Sequence, residues 1–98
     1  MRLALPTDME ILSALSDGKR NTAANLAYEL DKNRSYINTR LPVLADYDLL
    51  ERVGPAPNSG LYAITERGLL ALKHRERYER GDDEFEAFLE DQLAKQND

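Results

Sequence analysis

Four side chains within six residues, Arg34, Ser35, Asn38 and Thr39, all donate or accept hydrogen bonds. At helical period Ser35, Asn38 and Thr39 lie opposite the apolar positions Ile37, Leu41 and Leu44. A helix that buries one stripe and presents such a face has the chemistry to read base edges and hold phosphates. Asn38 is suited to a paired contact with adenine, whereas Ser35 and Thr39 discriminate less, and Arg34 reaches a guanine or a phosphate.

The element that must hold this face is the second of two helices. Ala23, Leu26, Ala27 and Leu30 follow the spacing of one buried helical stripe, and Ile37, Leu41, Leu44 and Ala45 form another. Asp31-Lys32-Asn33 between them is short and polar, so the pair reads as a helix-turn-helix, whose second helix often enters the major groove. Asn21 or Thr22 caps the first of the two, and Asn33 caps the second. The reading helix spans about 34–47, with Pro42 inside it. Proline there removes the bond to the Asn38 carbonyl, which predicts a kink, or else a helix that begins only at Pro42. The unbroken apolar spacing favours the kinked helix, with the reading residues before the bend.

Around this pair the chain supplies supports. Thr7-Asp8-Met9-Glu10 has the form of a capping box before a helix that buries Ile11, Leu12 and Leu15 and ends near Gly18. Lys19-Arg20-Asn21 is long enough only for an edge strand. Asp48 stands where glycine commonly ends a helix, and aspartate tolerates that left-handed geometry better than most residues. Leu50-Glu51-Arg52-Val53 and Leu61-Tyr62-Ala63-Ile64 read as strands about a Gly54–Gly60 loop stiffened by two prolines. A hairpin after a helix-turn-helix is a wing, with Arg52, Asn58 and Ser59 as its contact candidates. Thr65 caps a fourth helix that runs to Tyr78. Gly81 interrupts it, and Asp82 and Asp83 open a fifth, with the last four residues expected to fray.

The charge is unevenly spread. The 98 residues carry a net charge of −5, but residues 81–98 alone carry seven acids and one base. Residues 19–40 hold five bases (Lys19, Arg20, Lys32, Arg34 and Arg40) against Glu29 and Asp31. The field near the reading helix is thus positive, and local field steers binding. Lys19, Arg20, Thr22, Lys32, Tyr36 and Arg40 are the candidate phosphate contacts, with two alternatives left open. Arg40 is equally suited to an intramolecular ion pair, and Tyr36 to packing under the turn.

Other chemistries find no residues. The chain has no cysteine and one histidine, His74, set among Lys73, Arg75 and Arg77 and expected to face solvent. No nucleophile motif or ligand cluster is present, which argues against an enzyme, a metal site and a cofactor. No apolar run approaches membrane-spanning length and no signal segment is evident, so a cytoplasmic protein is expected. Phe85, Phe88, Leu89 and Leu93 share one face of the last helix. Such a face is more often core than interface, but following a complete domain it is expected to pair with a second copy as a homodimer.

The order of elements predicts a mainly α fold with a small β-hairpin wing: a winged helix-turn-helix over 7–72 with a C-terminal helical extension over 73–98. The run SYINTRLPVLADYDLLERVGP, followed by LYAITERG, resembles the small winged-helix regulators of haloarchaea, in particular the phage phi-H repressor-like family. The likeness covers about Asp8 to Leu72. It implies binding of double-stranded DNA as a repressor or related regulator, often as a dimer. The chain departs from the pattern at Asp48, where glycine is usual, and at the wing tip, which lacks a lysine or arginine. A halophilic source fits the acidic balance and the nine arginines against four lysines. The alternative function is a protein–protein interaction module of the same fold that does not bind DNA.

Overall fold

A computed structural model describes residues 1–56 and 58–96. Its elements run α1 (Thr7–Ala14), α2 (Ala23–Leu30), α3 (Arg34–Asp46), β1 (Leu50–Val53), β2 (Leu61–Ile64), α4 (Glu66–Lys73), α5 (Arg75–Glu79) and α6 (Phe85–Gln96). Pro57 in the wing loop, and Asn97 and Asp98 at the end of the chain, lie outside the described residues. Lys95 and Gln96, expected to fray, continue α6.

The caps place α2 and α3. The Thr22 side chain accepts from the Asn25 amide at 3.2 Å, and Asn33 does the same from Tyr36 at 3.1 Å. Both helices end with an aspartate in left-handed geometry, Asp31 at φ 55° and Asp48 at φ 62°. Beyond each, an amide reaches back to the helix: Lys32 to the Ala27 carbonyl at 2.9 Å and Leu49 to Leu44 at 3.0 Å. These bonds satisfy carbonyls that the helix ends leave open. Pro42 sits inside a continuous helix, so a start at Pro42 is ruled out.

The capping box at Thr7 does not form. Pro6 occupies the cap position without a side-chain bond, and Thr7 is already helical and buried. Asp8 turns inward instead. It is fully buried and accepts from the Ala4 amide at 2.7 Å. Arg40 of α3 meets it with two bonds, Nε to Oδ1 at 3.0 Å and Nη2 to Oδ2 at 2.8 Å. This bond to Asp8 holds the Arg40 pKa above its ordinary value, against the opposing effect of burial. A carboxylate out of water needs this many partners, because an uncompensated one costs several kcal/mol.

The hairpin is antiparallel, with Leu50 opposite Ile64 and Val53 opposite Leu61. Asn21 adds a single bridge to it, exchanging two 2.9 Å backbone bonds with Tyr62. The edge strand expected at 19–21 is therefore one residue long. Thr65 docks α4 onto the corner between α3 and β1. Its hydroxyl donates to the Asp48 carbonyl at 2.5 Å, and its amide donates to Leu49 at 3.1 Å. Gly68 then passes so close that a Cβ would lie 2.1 Å from the Leu49 carbonyl oxygen.

The single fourth helix expected through Tyr78 is two, broken at His74. The break lets Tyr78 reach the N-terminal segment, where its hydroxyl accepts from the Leu3 amide at 2.7 Å. His74 does not simply face solvent. Its ring meets Phe88 edge-on at 4.8 Å, and its Nε2 is buried without a hydrogen-bond partner. The face of α6 is largely covered within the chain itself. Phe85 and Leu89 are buried in the same core as Leu26, Ile37 and Leu44, and Phe88 and Leu93 pack against it. Arg67 of α4 also pairs with Glu90 of α6. Of the face expected to need a second copy, Phe85 and Leu89 are thus covered within the chain, because α6 folds back on α4, and Phe88 and Leu93 stay partly exposed.

Three outcomes follow from this packing. Gly68→Ala is expected to lower stability by about 1–3 kcal/mol in urea unfolding, because the added methyl meets backbone that cannot yield. Arg40→Met is expected to cost about 3–5 kcal/mol by leaving Asp8 buried and uncompensated, with most of it recovered in Asp8→Leu/Arg40→Met. His74 is held below the ordinary imidazole pKa by burial first, then by Lys73 and Arg77. The native state thus binds this proton less readily than the unfolded chain. Its contribution is fully present above about pH 6.5 and is lost as pH falls through the native pKa. Urea midpoints at pH 7.5 and 5.5 are expected to differ more for the natural chain than for His74→Gln.

Candidate nucleic-acid interface

The outer face of α3 is positioned by what lies behind it. Ile37, Leu41 and Leu44 are buried, and Arg40 is fixed to Asp8. Arg34, Ser35, Asn38 and Thr39 consequently point to solvent, as expected. Among the described residues, the side chains of Arg34, Ser35 and Asn38 make no hydrogen bond or ion pair within the chain. Thr39 differs, because its hydroxyl donates to the Ser35 carbonyl at 3.0 Å. It retains lone pairs and a methyl group for a partner but not a free proton.

Arg34 and Asn38, one helical turn apart, line a groove with Thr22, Ala24, Ser59 and Tyr62. The groove therefore joins the outer face of α3, the start of α2 and the base of the wing. Asn21 is the residue that closes this arrangement, through its bridge to Tyr62, and its side chain accepts from the Asn25 amide group at 2.8 Å. Its position before the Thr22 cap was the available signal, but nothing local marks its partner in β2.

The cations divide into two groups. Lys19, Arg20 and Arg34 are exposed. Arg40 is held by the buried Asp8, whereas Lys32 lies 3.1 Å from the half-exposed Glu10. For Arg40 the ion pair is thus the alternative realised, and the phosphate role is corrected. Lys32 shares its charge with Glu10 in a half-exposed pair and stays among the candidates. Residue 8 and residue 10, both on α1, neutralise two of the five bases that made 19–40 look strongly basic.

Tyr36 is exposed beside Arg34 and Ser35 rather than packed beneath the turn. The Thr22 hydroxyl is engaged as a helix cap. On the wing, the Arg52 guanidinium lies 5.7 Å from the centre of the Tyr62 ring, its partner in register, and so remains exposed while being oriented. The Ser59 hydroxyl donates to the Val53 carbonyl at 2.5 Å, closing the loop on itself. Asn58 is exposed.

No protein-family model matches the chain, and no curated protein matches it. Solved structures of Lactococcus lactis ZitR do. With wild-type ZitR in complex with DNA the TM-score is 0.58 at 18% identity, over 99% of this chain and 76% of that one. A double mutant of ZitR gives 0.55 at 20% identity, over 97% and 75% of the two chains. The same mutant in its apo form gives 0.55 at 20% identity, over 95% and 81%. At this identity the likeness is one of fold. Three helices, a two-stranded wing and the helices that follow give this chain the winged helix-turn-helix fold.

Proposed function

We propose that the protein is a sequence-specific, double-stranded DNA-binding transcriptional regulator that reads the major groove with α3. The observation that carries this is the free hydrogen-bonding face of Arg34, Ser35 and Asn38. It is held outward by the Asp8–Arg40 pair and flanked by exposed Lys19, Arg20 and the wing. Asn38 is the base-reading residue, supported by Arg34 and Ser35, with Thr39 at the edge of the contact. Lys19, Arg20, Tyr36 and the start of α2 hold the phosphates, and Arg52 and Asn58 approach the flanking backbone. That ZitR, which shares the fold, has been solved in complex with DNA supports the class of partner.

The resemblance to phage phi-H repressor-like regulators further suggests a repressor of halophilic archaeal origin, acting in the cytoplasm. A homodimer fits that reading, with the part-exposed Phe88 and Leu93 of α6 as the remaining contact candidates, and sedimentation of the free protein reads its state. The second reading, a protein–protein module, draws on the net charge of −5 and on the pairing of Lys32 and Arg40 within the chain.

Titration against a selected operator and against random duplex at two salt concentrations separates the readings. Asn38→Ala is expected to weaken operator binding by about 1–3 kcal/mol and to relax sequence preference. Lys19→Ala or Arg20→Ala is expected to weaken both duplexes alike and to lower the salt slope by about one each. Salt-independent absence of binding to any duplex would leave the protein–protein reading in its place.

A further inference from the structure

The helices α1, α2 and α5, with the Leu5–Pro6 segment, line an open cleft of about 670 Å³. Its volume is that of a site for a drug-sized molecule. Leu5, Met9, Ala14 and Leu30 give it an apolar floor, and Leu5 remains 42% exposed there. Exposed leucine lining a concave surface leaves apolar area for an occupant to cover.

The rim is unbalanced in charge. Glu29 and Glu79 line it and are exposed, and among the described residues neither has an ion-pair partner. Glu10 also lines the cleft but is already answered by Lys32. Arg75 is the single cation among the lining residues, so the two unpaired carboxylates outnumber it.

We propose that this cleft binds a lipophilic organic cation, with its apolar body on the Leu5–Met9–Leu30 floor and its positive centre at the Glu29/Glu79 rim. Apolar burial supplies the affinity and the carboxylates supply the choice of sign. Glu29 and Leu30 form the last turn of α2, directly before the left-handed Asp31 from which the chain turns into α3. An occupant therefore rests against the joint of the helix-turn-helix. Any effect on DNA binding relies on the function proposed above, whereas the binding itself does not.

Calorimetry on the free, full chain tests the site without DNA. The probes are tetraphenylphosphonium and its near-isosteric anion tetraphenylborate, in sodium buffer. Saturable binding of one tetraphenylphosphonium per chain is expected, with no saturable binding of tetraphenylborate. Glu29→Gln/Glu79→Gln alters only exposed side chains and is expected to weaken the cation about threefold to tenfold. Ser13→Trp, from an exposed position on the lining, is expected to fill the cleft and abolish binding while the unfolding midpoint is retained. Equal binding of both ions, or unchanged affinity in either variant, overturns the proposal. Because no duplex is present, that failure is separate from a failure to bind DNA.

Discussion

The buried pair between Asp8 and Arg40 sets the orientation of the helix that the proposed function depends on. Apolar packing holds a helix against a core, but the hydrophobic effect itself is not directional. Two parallel hydrogen bonds to a carboxylate are directional. Asp8 is further fixed by the Ala4 amide, so it cannot follow Arg40 if α3 rolls. Arg40 leaves α3 roughly opposite Arg34 and Asn38. Locking the inner side of α3 therefore aims its outer side. The ion pair need not add net stability to do this; its role is to fix one orientation of the helix.

How far the sequence revealed this arrangement depended on the range of each interaction. Patterns confined to a few residues were legible: the Asn33 cap, a cap at Asn21 or Thr22 that Thr22 fills, the left-handed Asp48, the strands at 50–53 and 61–64, and the Thr65 cap. Asp31 uses the same left-handed geometry as Asp48, but in a polar turn it carried no contrast with its neighbours. Asp8 and Arg40 are 32 residues apart, and the local form of Thr7-Asp8-Met9-Glu10 pointed to a cap instead. Likewise the amphipathic face of α6 was visible, but its partner was not. Periodicity says that a face must be covered without saying by what, and here α4 and the rest of the chain's own core cover its Phe85 and Leu89.

The same long-range pairing changes the electrostatic picture around the outer face of α3. From sequence, five bases crowd 19–40. In the fold, α1 brings Asp8 and Glu10 against two of them. What remains outward is a polar face with three cations near it, Lys19, Arg20 and Arg34. Under the proposed function, such a surface would rely less on bulk phosphate attraction and more on the fit of individual side chains to base edges. Ion pairs sheltered from solvent and direct hydrogen bonds are screened less by salt than distant charges.

The bridge at Asn21 gives the wing a different standing from that of an appendage. A two-stranded hairpin of four residues a side is marginal in water by itself. Here the backbone of Asn21 occupies the outer edge of β2 at Tyr62, and Asn21 is also the residue that leads into the capped start of α2. Ordering the hairpin and ordering the first turn of α2 are thus one event. The wing melts when the helix-turn-helix melts, so it behaves as part of a single cooperative folding unit. Transplanting it onto another scaffold would carry over its loop but not its stability.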